Sequence, residues 1–269
     1  MKFILQLCTM FPQDAFDFTS TLTAQTLKLT KADFGAILLL PKEQITLLLI
    51  QTDQATEESI TSIQQHLAPG RKVICLWEDV WMSQSEKVKS RLTALCGKAR
   101  KTHARQTEAK RLDTVTAKAF LDKHHLQQYA TAYYKYGLYQ HGQLMAVATF
   151  SNSRVMHDGP VPYRSYELVR FACTQGTIIN GGLSKLLMHF ITQHHPAHLM
   201  TYIDLDWGDG KSFEKFGFTV ESILPAFVFY VKPGEWKRIS LHKFDARLTP
   251  FYKKVWNSGN KKMVLDLRK

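Results

Sequence analysis

The stretch from Tyr166 to Phe218 constrains this chain more than any other. It reads YELVRFACT, QGTIINGGLSKLLMHFITQHH, HLMTYIDLDW and DGKSFEKFGF in succession. In that order they read as strand, glycine-rich turn and helix, strand, and short helix. The pair Gly181-Gly182 falls where the first strand gives way to that helix. A buried strand feeding a glycine turn and a helix start presents unpaired backbone N–H groups with partial positive charge. That layout suits phosphate.

With 269 residues, 45% of them hydrophobic, the chain has apolar surface for one large core or two ordinary ones, and two are expected. A formal net charge of +12 favours polyanionic partners such as nucleic acid, with a generally basic surface as the alternative. Cys8, Cys75, Cys96 and Cys173 lie far apart and form no CxxC pair, which points to a reducing, cytoplasmic setting. With no HxxxH and no Cys/His cluster, no dedicated metal site is expected. The apolar start Met1–Cys8 is short and soon followed by Asp14 and Asp17, unlike a signal peptide. The runs Gly35–Leu40 and Ile45–Ile50 are too short to span a membrane, so a soluble protein is expected.

Along the chain, residues 1–100 read as a small α/β domain. Its elements are a strand at Phe3–Leu7, a helix at Thr19–Leu29, a hairpin of Ala36–Leu40 and Ile45–Ile50, a helix at Thr56–Leu67, and a central strand KVICLW. Ser83–Glu86 offers a cap for the helix VKSRLTAL, which Gly97 would stop. Residues 101–235 form a second domain. It opens with a strand over Thr102–Leu112 and a helix capped by Thr114 or Thr116. Strands Tyr133–Gln140 and Gln143–Ser151 follow, hinged at His141-Gly142. The opening segment comes next, and strands Thr219–Leu224 and Ala226–Lys232 close the pattern. Residues 236–269 are a basic, aromatic extension packed on that domain.

The order of elements over Thr102–Lys232, the glycine turn after the fourth strand, and FEKFGF after the fifth resemble the GNAT superfamily of N-acetyltransferases. The resemblance implies an α/β (α+β) fold: a mixed sheet flanked by helices, with a smaller α/β domain before it. It also implies acyl transfer to an amine, with acetyl-CoA or another acyl-CoA as donor. FLDKHHLQ, YELVRFA, INGGLSKLL, TYIDLDW and YKKVWNSGN are similar to GNAT-like proteins of phages and mobile elements, and distantly to Mom-type DNA-modification proteins. ICLWEDVW with VKSRL is similar to part of very-short-patch-repair nuclease folds. The hairpin strands GAILLL and ITLLLI carry no carboxylate and only Glu78-Asp79 is well placed, so a degenerate docking or DNA-binding module is expected there.

The family turn opens with Arg or Gln and ends on a small residue; Ile178 and Leu183 stand at those positions here. Ile179, Asn180, Gly181 and Gly182, with Ser184 and Lys185, are the donor-phosphate candidates. A glycine turn kept only for helix–sheet packing is the alternative. Many family members protonate the departing thiolate with a tyrosine where this chain has Phe213, which puts ordinary acetyl transfer in question. Glu167 is the conventional base candidate. Period two would put it on the face opposite Arg170, which needs a carboxylate or phosphate partner. Tyr202, Asp204 and Asp206 share one strand face, as a base with its orienting partners or as oxygen ligands. Helix capping is the alternative for Asp206 and Asp209. The resemblance singles out His125 for proton transfer, with helix-end capping as the alternative. Lys98, Arg100, Lys101, Arg105 and Arg170 are the candidates for nucleic-acid phosphates, and Trp236, Tyr252 and Trp256 for base stacking or for covering a sheet edge. A non-catalytic DNA-binding protein of a mobile element is the competing function.

Overall fold

The computed structural model describes residues 13–22, 28–32, 34–40, 44–59, 61, 72–157 and 161–268. Its fold is α/β, with a large mixed sheet flanked by helices and a smaller N-terminal sheet. The chain divides into two compact units. The first comprises residues 1–89, 204–209 and 224–260, and the second residues 90–203, 210–223 and 261–269.

In the first unit, α1 (Gln13–Leu22) precedes a sheet of β1 (Lys28–Ala32), β2 (Gly35–Leu40), β3 (Ile45–Ile50) and β4 (Lys72–Trp77). The order is β1-β2-β3-β4, antiparallel except for the parallel β3/β4 pair. β3, ITLLLI, is buried along its whole length, as an unbroken apolar strand must be. Gly35 is obligatory, because a Cβ there would lie 2.1 Å from the Leu49 carbonyl oxygen. Phe34, Leu48, Trp77, Val231, Val255 and Trp256 share one core, and Trp77 meets Trp256 edge-on at 5.1 Å. The last three belong to or adjoin a three-stranded sheet of β14 (Val228–Val231), β15 (Arg238–Ser240) and β16 (Lys253–Trp256), ordered β15-β14-β16.

The second unit carries the sheet order β13-β17-β12-β10-β8-β7-β6, with β9 on β10. These are β6 (Glu108–Arg111), β7 (Tyr134–Gln140), β8 (Gln143–Phe150), β9 (Arg154–Met156), β10 (Tyr163–Cys173), β12 (His198–Asp204), β13 (Thr219–Leu224) and β17 (Asn260–Asp266). A separate parallel pair joins β5 (Arg100–His103) to β11 (Thr177–Asn180). Helix α3 (Thr114–His124) packs Phe120 and Leu121 on Val147 and Ala172. Helix α4 (Gly182–His194) packs Leu186, Leu187 and Phe190 on Phe150, Tyr166, Leu168 and Leu199. The sheet therefore has one face toward each helix.

Several sequence expectations change. The first helix ends at Leu22 and Lys28–Ala32 is a strand, because that segment pairs with β2. The expected strand Phe3–Leu7 lies outside the described residues, as does most of the helix expected at Thr56–Leu67. Helix α2 (Glu78–Leu95) starts directly after β4. The expected cap at Ser83–Glu86 is instead a kink, with Gln84 at φ −147°, ψ 33°. The strand expected over Thr102–Leu112 is broken into β5 and β6 by a 3-10 turn at Ala104–Gln106. Asp113, not a threonine, caps α3: its Oδ1 accepts the Thr116 N–H at 2.8 Å and its Oδ2 the Thr116 hydroxyl at 2.8 Å. The segment expected at Ala226–Lys232 leaves the large sheet for the first unit, and β17 fills the place beside β12 and β13. Trp256 is core and Trp236 packs on the same core; the expected extension 236–269 is thus shared between the units.

Candidate active site

Strand β10 is hydrogen-bonded in parallel to β12 from Ser165 opposite His198 to Leu168 opposite Thr201. The pairing ends there although both strands continue. At the same level β10 carries a bulge against β8, where Leu168 opposes Phe150 and Arg170 opposes Thr149, leaving Val169 extra. A bulge resets the in/out alternation. Tyr166 and Leu168, then Phe171 and Cys173, all pack on the α4 side, whereas Ala172 packs on the α3 side. Glu167 and Arg170 consequently share the α3 face, correcting the opposite-face expectation. The three-residue step from Leu168 to Phe171 was the available sequence signal for this bulge.

Glu167 is half-buried, and its backbone is pinned by Ser151: the Glu167 N–H donates to Ser151 Oγ at 2.9 Å and the Ser151 N–H to Glu167 O at 2.9 Å. Burial raises the Glu167 carboxyl above its ordinary range, partly offset by the Arg154 and Arg170 guanidinium groups. Arg170 donates from Nε to Gln128 O at 3.2 Å and from Nη1 to Val169 O at 2.8 Å. It shares this face with Glu167. Tyr202 follows on the same face of β12, two residues beyond Met200, the register partner of Glu167, and is 41% exposed. His125 closes α3. Its N–H donates to Leu121 O, and its Nδ1 accepts the Gln127 N–H at 3.0 Å. The backbone N–H makes the helix-end bond, and the imidazole accepts from the segment that follows instead of donating to a helix carbonyl.

The glycine turn opens α4. Gly181 is its N-cap in the left-handed region (φ 77°), and Asn180, Gly181 and Ser184 are exposed. Gly182 is packing-critical, since a Cβ there would lie 2.9 Å from Ile179 Cβ. Ile179 is buried on the α4-side core. The Lys185 ammonium donates to Ala104 O at 2.9 Å and also to Thr107 O, so it braces the 3-10 turn instead of standing free for an anion. The first-turn amides of α4 have no acceptor within their helix. Neither the β5/β11 pair nor this lysine brace was foreseen; QGTIIN carries no strand signal beyond Ile178-Ile179.

Asp204 and Asp206 belong to the first unit. Asp204 Oδ1 accepts the Asp206 N–H at 3.1 Å, and Asp206 Oδ1 accepts the Ser258 N–H at 2.8 Å. Asp206 is 3% exposed; burial and the neighbouring Asp204 charge push its carboxyl up to about 7. Asp79, 1% exposed, takes a bidentate ion pair from Arg238 at 2.6 and 3.1 Å. Glu78 Oε2 accepts from the Thr52 N–H and hydroxyl. Both acids singled out at the strand end are therefore engaged in structural bonds. Helix α5 (Lys211–Glu214) starts from Gly210 in the left-handed region with no side-chain cap, and Phe213 packs on Phe218 at 5.4 Å. Among the described residues no group of three or more His, Cys, Asp or Glu converges to hold a metal, and no helix is long and apolar enough to cross a membrane.

No family model and no curated protein matches this chain. Among solved structures it is similar to the ribosomal-protein-S18-alanine N-acetyltransferase of Escherichia coli, at 16% identity over 61% of this chain and 95% of that one, with a TM-score of 0.39. A GNAT family acetyltransferase from Elizabethkingia anophelis with acetyl-CoA bound aligns at 11% identity over 60% and 99% of the two chains, TM-score 0.37. A Bacillus subtilis acetyltransferase in complex with CoA aligns at 12% over 60% and 99%, TM-score 0.39. At these values the chemistry has to be argued from strand order, the parted strands and the turn.

Proposed function

We propose that the second unit is an N-acyltransferase of the GNAT type, taking an acyl-CoA donor and an amine acceptor. The carrying observation is the loss of pairing between β10 and β12 beyond Leu168 and Thr201, in a sheet whose next helix begins at the Gly181 turn. Parted parallel strands leave backbone groups without a ladder, and an extended ligand can satisfy them. The α4 first-turn amides would receive the donor's phosphates.

In this reading the acceptor amine attacks the thioester carbonyl, the C–N bond forms and the C–S bond breaks. Glu167 takes the proton the amine loses; burial, which raises its carboxyl, makes it a stronger base than an exposed carboxylate. Arg170, beside it, limits that rise. The departing thiolate needs a proton that Phe213 cannot supply, and Tyr202 carries the exposed phenol on the Glu167 face. Steady-state acetylation of a panel of amines tests the reading. Glu167→Gln should lower kcat about 10²–10⁴-fold with donor affinity retained. Tyr202→Phe should lower kcat less, again with donor affinity retained. Full activity in Glu167→Gln would remove the carboxylate from the mechanism.

A further inference from the structure

We propose that β5 and the turn after it form a binding surface for the phosphodiester backbone of nucleic acid. From Lys87 through Thr107, both included, the sequence has seven Lys or Arg residues and no Asp or Glu. Lys98, Arg100, Lys101 and Arg105 are exposed, and among the described residues none has a carboxylate within ion-pair distance. Some exposed lysines elsewhere are paired, as in Lys110 with Glu108, Lys118 with Asp122 and Lys232 with Glu235, whereas Lys237, Lys253 and Lys254 have no ion pair among the described residues and serve as the comparison set below. Protecting a sheet edge needs only a charge or two. Four unpaired cations on one strand and its flanks exceed that need.

The strip also has a shape. Among the described residues β5 pairs with β11 alone, and no strand is paired along its other edge. Arg100, Lys101 and Thr102 line a groove of about 270 Å³ with Gln140, His141 and Gln143 of the β7–β8 turn. Thr102 Oγ1 and the Gln140 amide are hydrogen-bonded at 3.1–3.2 Å, which fixes polar donors beside the cations. Among the described residues no Phe, Tyr or Trp lines the groove, and the His141 imidazole is its one ring. Charge and amides without a stacking platform read the backbone and leave the bases unread. The surface should bind without sequence preference and with steep salt dependence. In register, Arg100 lies opposite Thr177 and His103 opposite Asn180, so the strip runs alongside the residues that enter the Gly181 turn.

The test is fluorescence anisotropy of the full chain with a labelled duplex and a single strand of equal length, titrated from 50 to 200 mM KCl. Wild type is compared with the triple variant Arg100→Ser, Lys101→Ser, Arg105→Ser. A charge-matched control carries Lys237→Ser, Lys253→Ser, Lys254→Ser, and circular dichroism confirms that each folds. Each phosphate contact contributes roughly −0.9 to the log–log salt slope on duplex and about −0.7 on single strands. The strip variant should flatten the slope by about 2–3 and weaken binding at 50 mM KCl by at least about tenfold, with the control near wild type. Equal weakening in strip and control variants, or no nucleic-acid binding at 50 mM KCl, would overturn the proposal. Acetyl-CoA calorimetry on the strip variant separates this surface from the acyl-transfer reading, because loss of polymer binding should leave donor binding intact.

Discussion

At the scale of single residues, two carboxyl groups are displaced from ordinary behaviour for different reasons. Glu167 is raised by partial burial at the parted strands, and Asp206 by complete burial beside Asp204. The Asp206 shift carries a sign. The folded state holds a proton that the unfolded chain has released, so the stability it confers is complete below the unfolded value of 3.8 and is lost as pH rises through about 7. Asp206→Asn, fixed in the neutral form, should raise the urea midpoint relative to wild type at pH 8, with a smaller advantage at pH 5.5 that vanishes only below 3.8. An unchanged difference between those pH values would contradict it. His194 and His198 act oppositely: burial lowers both, so the stability they confer is present above 6.5 and lost as pH falls through their folded values. Their partners, Tyr136 Oη at 2.6 Å from His194 Nε2 and Ser165 Oγ at 2.7 Å from His198 Nδ1, are the contacts that protonation disturbs. Comparing Asp206→Asn with wild type cancels this histidine contribution.

At the scale of elements, the glycine turn is held from both sides. Gly182→Ala would push a methyl group against Ile179 and should cost about 1–3 kcal/mol, read as a lower chemical midpoint. A neutral effect would show that Ile179 can yield. Much of this level was legible beforehand: the hairpin at His141-Gly142, the strand KVICLW and the strand–turn–helix order over 166–194 follow from period and turn chemistry. What escaped was long-range pairing. Nothing local distinguishes VFYV, which joins the first unit, from a strand that closes the large sheet, because a short apolar strand satisfies either. Likewise Lys185 reads as an anion ligand until the carbonyls of Ala104 and Thr107, about eighty residues earlier, are placed against it. The Glu167–Arg170 relation was hidden for a third reason, since one extra residue inverts a face without altering composition.

At the scale of the whole molecule, the chain returns to its first unit after leaving it, and the segment 224–260 is fastened there by Arg238 on Asp79 as well as by the shared core. Removing one partner leaves a buried charge, so Arg238→Met should cost about 3–5 kcal/mol, while Arg238→Met with Asp79→Leu should recover most of it. Double-mutant denaturation checks this, and additive losses would show that the pair is not coupled. The most direct test of the acyl-transfer reading is isothermal calorimetry of acetyl-CoA with the wild-type chain and with Ser184→Glu, which adds a negative charge to the exposed first turn of α4 without straining Gly181. Micromolar binding that weakens at least about tenfold in the variant is the predicted result. No heat from a folded wild-type protein, or binding indifferent to the added charge, would contradict it.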